Sequence, residues 1–142
     1  MQALLRALAA GRDVAELGTA FGEGAAAMAE TARSVVTVEV DPARAAIARG
    51  RLARFSNVEL VEGDWRSLRG AFALVFADAD VHDWDRVLTL VAPGGLLVKD
   101  DLTPGRAIAG DPAREFLLRD PRLAAAEILT TPETAAIVAV RR

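Results

Sequence analysis

Along nearly its whole length the chain alternates short apolar runs with alanine-rich stretches. That alternation restricts the fold more than any other feature. Residues 13–17 (DVAEL), 34–40 (SVVTVEV), 57–62 (NVELVE), 71–77 (AFALVFA) and 96–99 (LLVK) read as strands. The fourth is apolar throughout, as a central strand of a parallel sheet should be. Helical segments lie between them: residues 2–10, stopped at Gly11; 22–33; 43–55; and 83–92, ended by Pro93-Gly94-Gly95. Asp41-Pro42 and Asp111-Pro112 each join an N-capping carboxylate to a proline suited to the first helical position, so a further helix follows Pro112.

Strand–helix–strand repetition implies a parallel sheet with right-handed crossovers. One crossover must be abbreviated, because residues 63–70 (GDWRSLRG) are too few for a full helix. Residues 126–130 and 135–140 flank TPET, which reads as the turn of a closing antiparallel hairpin. Seven strands result. With 142 residues, no linker, no internal repeat and no composition break, the chain reads as one α/β domain over residues 1–142.

Composition removes several function classes. There is no Cys, which excludes thiol catalysis and cysteine zinc sites, and a single His82 excludes a site built on several histidines. No apolar run reaches the roughly 20 residues of a membrane span. The opening MQALLRALAA lacks the long apolar region of a secretion signal, so a cytoplasmic location is expected. Net charge is −3 and the sequence pI is near 5.2. The arginines are scattered, which disfavours nucleic acid and anionic membranes as partners. Sixteen Arg against one Lys, with thirty Ala, reads as the codon bias of a GC-rich bacterial genome.

Ligands of such sheets bind beyond the carboxyl ends of the strands, at the switch point, so the residues just past each strand are the candidates. After the first strand comes Glu16-Leu17-Gly18-Thr19-Ala20-Phe21-Gly22-Glu23-Gly24. Gly18 permits a sharp turn and close approach to a ligand. Gly22 and Gly24 open the next helix, whose first N–H groups suit an anion. The spacing G-x-x-x-G-x-G differs from the dinucleotide fingerprint and speaks against NAD or FAD. After the second strand, Glu39 and Asp41 compete to hold the two hydroxyls of a ribose. Asp41 has an alternative task as the cap before Pro42, which favours Glu39. After the third strand, Asp64 is placed to accept from an adenine amino group and Trp65 to cover the ring. The alternative is a solvated turn with Trp65 plugging the core.

Beyond the fourth strand, residues 78–85 (DADVHDWD) hold five ionisable side chains. Asp83 is the natural cap of the following helix. Asp78 and Asp80 suit a cation or an ammonium group, and His82 is the candidate neutral-pH base. Lys99-Asp100-Asp101 follows the fifth strand. Asp78, Asp100 and Asp101 together offer oxygen ligands for Mg²⁺ or Ca²⁺. Without a metal such carboxylates raise one another's pKa, and solvent-separated carboxylates on loops are the alternative.

Five motifs in order, AELGTAFGEG, TVEVDP, VEGDW, LVFADAD and APGGLLVKDDL, span residues 15–102. They resemble those of the class I S-adenosylmethionine-dependent methyltransferases, and within that group the catechol-type O-methyltransferases. The resemblance implies a Rossmann-like sheet of order 3-2-1-4-5-7-6 with the seventh strand antiparallel. It implies S-adenosylmethionine as cofactor, with the Gly18-Thr19 turn, Gly22 and Gly24 against its methionine part and Glu16 orienting it. Glu39 would hold the ribose, Asp64 and Trp65 the adenine, and Asp78 would sit near the sulfonium. In the metal-dependent branch Asp78, Asp100 and Asp101 would hold Mg²⁺.

The chain also departs from that pattern. Asp100-Asp101 stands where the branch has Asp-Asn, and Val81 stands where it has a lysine after D-A-D as the candidate base. The long N-terminal helices that wall the substrate pocket are not in this sequence, so the cofactor half is expected intact and the substrate half reduced, without a cap. The expected activity is in-line methyl transfer to a small molecule, with Asp78, Asp80 or His82 as the catalytic candidates. A non-catalytic S-adenosylmethionine-binding module or subunit is the alternative, and a nicotinamide oxidoreductase is disfavoured by the glycine spacing. An open pocket suggests a homodimer, with Phe21, Trp84 or the first helix at the contact.

Overall fold

A computed structural model describes residues 1–142. The strands are β1 (Asp13–Leu17), β2 (Ser34–Glu39), β3 (Val58–Glu62), β4 (Phe72–Ala77), β5 (Val91–Leu102), β6 (Leu123–Leu129) and β7 (Ala135–Arg141). The helices are α1 (Gln2–Ala9), α2 (Glu23–Ala29), α3 (Pro42–Leu52), α4 (Trp84–Leu90) and α5 (Pro112–Arg119). One sheet contains all seven strands in the order β3-β2-β1-β4-β5-β7-β6. Strands β1 to β5 are parallel, and β7 runs antiparallel to β5 and β6. This is the class and strand order expected. The abbreviated crossover between β3 and β4 is a single 3-10 turn, Trp65–Ser67.

Element ends differ from expectation where tertiary contacts outbid local propensity. The helix expected over 22–33 stops at Ala29. The amides of Thr31 and Ala32 both return to Met28 O, and Asn57 Nδ2 donates to the carbonyls of Ala29 and Ala32. The helix expected to reach residue 92 stops at Leu90. Val91 already pairs with Phe72, and a register shift follows before Leu74 meets Leu96. Pro93-Gly94-Gly95 therefore forms a bulge inside β5. Gly95 is sterically required there, since a Cβ would fall 2.8 Å from Ala92 O and 3.0 Å from Phe72 O. Strand β6 starts at Leu123, because pairing along β7 recruits Ala124 and Ala125 despite their helical preference.

Strand alternation divides the core between the two faces of the sheet. Ala15, Leu17, Val75, Ala77 and Leu97 pack with Trp84, Val87 and Leu117 of α4 and α5. Val14, Leu74, Phe76 and Val98 pack with Leu5, Met28 and Ala48 of α1, α2 and α3. Trp84, expected at a subunit contact, lies in this core. Its ring stacks on Phe116 at 6.1 Å with 23° between planes. Large aromatic area is worth more inside than at a rim, which accounts for the difference. Phe21 is exposed, and α1 buries Leu5 and Ala9 against the domain. No helix is long and apolar enough to cross a membrane.

The most buried cation is Arg114 on α5, 1% exposed. Its Nε and Nη2 each donate to Glu127 of β6 at 2.8 Å, Nη1 donates to Asp111 at 2.6 Å, and Nη2 also reaches Thr103 O. This network fastens α5 to the edge strand and to the loop after β5. Arg114→Met is expected to cost about 3 kcal/mol, the price of leaving paired carboxylates half-buried without their cation. Urea unfolding checks it, and a loss below about 1 kcal/mol would reduce the network to the worth of a surface pair.

Candidate active site

The parallel register builds the site. Glu16, Phe76 and Val98 are neighbours across β1, β4 and β5, and so share one face. Two residues further on, the same alternation brings Asp78 and Asp100 side by side above Glu16. Asp101 follows at φ +57°, a left-handed turn that few non-glycine residues adopt. Carboxylate oxygens of Asp78, Asp100 and Asp101 all lie within 4.8 Å of one another. Sequence spacing suggested this cluster, and the register assembles it.

A cleft of about 380 Å³ lies over the carboxyl ends of β1, β2, β3 and β4, at the switch where β2 and β4 leave β1 on opposite sides. Gly18, Glu39, Asp64, Trp65, Asp78 and Asp80 line it. Gly18 adopts φ +93°, and a Cβ there would come within 3.0 Å of Ala79 N, so only glycine lets the two strand-end loops meet. Glu39 is held from both sides. Oε2 accepts from Ala20 N at 2.7 Å and Oε1 from Asp41 N at 2.9 Å. Each oxygen keeps a free lone pair toward the cleft. Asp41 caps α3 through Ala43 N and Arg44 N, as its place before Pro42 suggested.

Other expected residues are placed differently. Gly22 packs on Ala48 of α3, and Gly24 sits where a Cβ would strike Glu16 Oε1 at 2.2 Å; neither lines the cleft. Thr19 and Glu16 lie beneath it, fully enclosed. Asp64 caps the 3-10 turn, with Oδ1 accepting from Arg66 N and Oδ2 paired to Arg66 Nη1. The Arg66 amide, first among these contacts, holds the Asp64 carboxyl below its ordinary pKa. Trp65 is both plug and wall: buried, lining the cleft, with the Arg66 guanidinium 5.2 Å from its ring. His82 pairs with Asp80 at 3.1 Å, but the two side chains are 78% and 87% exposed, and His82 lines the smaller cavity beside the cleft rather than the cleft itself. A solvated pair of this kind is weakly held.

Thr37 belongs to the site and carries no motif. Opposite Glu16 in register, it donates to Glu16 Oε2 at 2.5 Å and accepts from Thr19 at 2.5 Å. One hydroxyl has one proton, so the chain runs Thr19 to Thr37 to Glu16. The available signal was a hydroxyl in the middle of a buried strand. Glu16 Oε1 has no partner. Burial, first of all, pushes the Glu16 carboxyl up to about 8, with help from Asp78, Asp100 and Glu39 and against the Thr37 hydrogen bond. Burial and Asp100 raise Asp78 to about 7, and burial and Asp101 raise Asp100.

Because Glu16 is raised when folded, its protonated form favours the native state. That stability is complete below the unfolded value of 4.5 and drains away as pH rises through about 8. Glu16→Gln removes the titration while keeping the shape. Its stability relative to wild type is expected to grow by a few kcal/mol between pH 5 and pH 9, read by urea unfolding across that range. Parallel curves for the two proteins would contradict it.

No family model and no curated protein matches the chain by sequence. Solved structures do match. The O-methyltransferase from Bacillus cereus in complex with SAH superposes with a TM-score of 0.79 at 24% identity, over 99% of this chain and 78% of that one. The O-methyltransferase TomG from Streptomyces achromogenes, in complex with SAM, gives 0.73 at 23% over 99% and 78%. The tRNA (m1A58) methyltransferase TrmI from Aquifex aeolicus gives 0.73 at 20% over 97% and 66%. These likenesses establish a shared fold across methyltransferases with different acceptors.

Proposed function

We propose that this chain, which has the fold of the class I S-adenosylmethionine-dependent methyltransferases, binds S-adenosylmethionine in the cleft and methylates a small-molecule oxygen. The observation that carries the reading is the spacing of Glu39 and Asp78 along one cleft. Glu39 ends β2 and Asp78 follows the last residue of β4, with β1 between them, so their backbones stand two strand spacings or roughly 10 Å apart. The sulfonium is joined to the ribose through a single methylene, so this span, less one contact distance at each end, accommodates ribose hydroxyls at Glu39 and the sulfonium at Asp78. Glu39, oriented by two backbone amides, offers both oxygens to the ribose hydroxyls. Trp65 offers an apolar face to the adenine. Gly18 leaves room for the chain between them.

Methyl transfer needs no protein nucleophile. The acceptor oxygen forms a bond to the methyl carbon, the carbon–sulfur bond breaks, and its electron pair stays on sulfur. The protein contributes alignment, worth up to roughly 7–11 kcal/mol, and a destination for the acceptor's proton. Asp78 and Asp80 both line the cleft and a second cavity beside it, and of the two Asp78 is the partly buried one. Asp78, Asp100 and Asp101 form a hard oxygen donor set, and Asp100 Oδ1 is buried without a partner. They fit a divalent cation such as Mg²⁺, which when bound lowers the pKa of an acceptor hydroxyl. The chain's acidity and its scattered arginines favour a small acceptor over RNA.

Calorimetric titration with S-adenosylhomocysteine, with NADH as control, tests the reading. The former alone is expected to bind. Glu39→Ala is expected to weaken it about 10- to 100-fold, the worth of hydrogen bonds to a charged group. Absence of binding by the wild-type chain overturns the proposal, and unchanged affinity in the variant removes Glu39 from the ribose.

A further inference from the structure

We propose that the second cavity takes the methyl acceptor and that Lys99 selects an acceptor bearing a carboxylate. The inference rests on the reading of the cleft as the S-adenosylmethionine site. The cavity, of about 320 Å³, adjoins the cleft through Asp78, Ala79 and Asp80, which line both. An acceptor in it therefore lies beside the place assigned to the sulfonium. Val81, Trp84, Pro112 and Ala113 give it apolar walls. Its volume stands at the lower end of small-molecule pockets, the size for a single-ring acceptor.

Lys99 is the only lysine among 142 residues. It sits next to Asp100 in β5, yet alternation sends the two side chains to opposite faces. Asp100 goes with Asp78 and Glu16. Lys99 goes with Leu97 toward α4 and α5, and there it lines the cavity. It makes no ion pair within the protein. The other charged groups at the cavity are accounted for. Asp111 is bound to Arg114 and caps α5. Asp80 and His82 pair with each other in solvent. Asp78 stands at the mouth between cleft and cavity and is grouped with Asp100 and Asp101. Against burial, which raises them, the Lys99 charge draws down the Asp78 and Asp100 carboxyls. Yet no carboxylate pairs with it directly, and a half-buried ammonium without an ion pair beside apolar walls is a site for a single negative charge. One compact cation suits a carboxylate, whereas a phosphate calls for more donors than the cavity offers.

The test measures binding and is independent of turnover. Para-hydroxybenzoate and its neutral amide are titrated, by calorimetry, into the wild-type chain with and without S-adenosylhomocysteine. The acid is expected to bind about tenfold tighter than the amide, the value of one charge-assisted contact. Lys99→Met is expected to abolish that preference and Lys99→Arg to keep most of it, both binding S-adenosylhomocysteine as the wild type does. Equal affinity for acid and amide, failure of the acid to bind, or a preference that survives in Lys99→Met overturns the proposal. If S-adenosylhomocysteine itself does not bind, the reading of the cleft falls. The acid-to-amide comparison without it then decides Lys99 separately.

Discussion

The register among β1, β4 and β5 is the constraint on which the rest depends. It fixes Glu16, Asp78 and Asp100 on one face and Lys99 on the other. A slip of one residue would send every one of these side chains to the wrong side. The bulge at Pro93-Gly94-Gly95 absorbs the early pairing of Val91 with Phe72 before the true register begins. The strands are buried on both faces, and their apolar side chains hold this register through packing.

Packing alone does not explain Glu16. A carboxyl with no exposure, and with one oxygen unpartnered, costs stability in a small domain. Thr37 and Thr19 offset part of that cost, and Gly24 gives way to make room. The group lies directly under the strand ends where Asp78 and Asp100 gather. Asp78, Asp100 and Asp101, gathered above the neutral Glu16 at one end of the sheet, suit positive charge, whether a sulfonium or a divalent cation. The pleat turns Lys99 to the opposite face, where it forms no ion pair although, against burial, its charge draws down the Asp78 and Asp100 carboxyls.

The two adjoining hollows at the strand ends are built differently. The cleft rests on backbone features: the left-handed Gly18, the amides of Ala20 and Asp41 on Glu39, and the short turn that seats Trp65. The second cavity rests on side chains of the loop before α4, of α4, α5 and β5, and Arg114 fastens α5 to β6 and to the loop after β5. Fold neighbours with different acceptors superpose on nearly all of this chain, so the fold by itself does not choose an acceptor.

Most of the fold was legible in order of elements. Alternating composition, two Asp-Pro caps and the apolar fourth strand announce a parallel sheet with a closing hairpin, because those signals are local. The strand-end position of Gly18, Glu39, Asp78, Asp100 and Asp101 was legible for the same reason. Propensity could not give the early stop of α2, the bulge in β5 or the inward turn of Trp84, each set by a partner distant in sequence. Nor could it separate Gly18, which faces the cleft, from Gly22 and Gly24, which pack beneath it. Sequence determined which chemical groups reach the strand ends. Tertiary structure decided which of them meet, since register and pleat, not spacing, recruit Thr37, leave His82 in solvent and part Lys99 from its acidic neighbours.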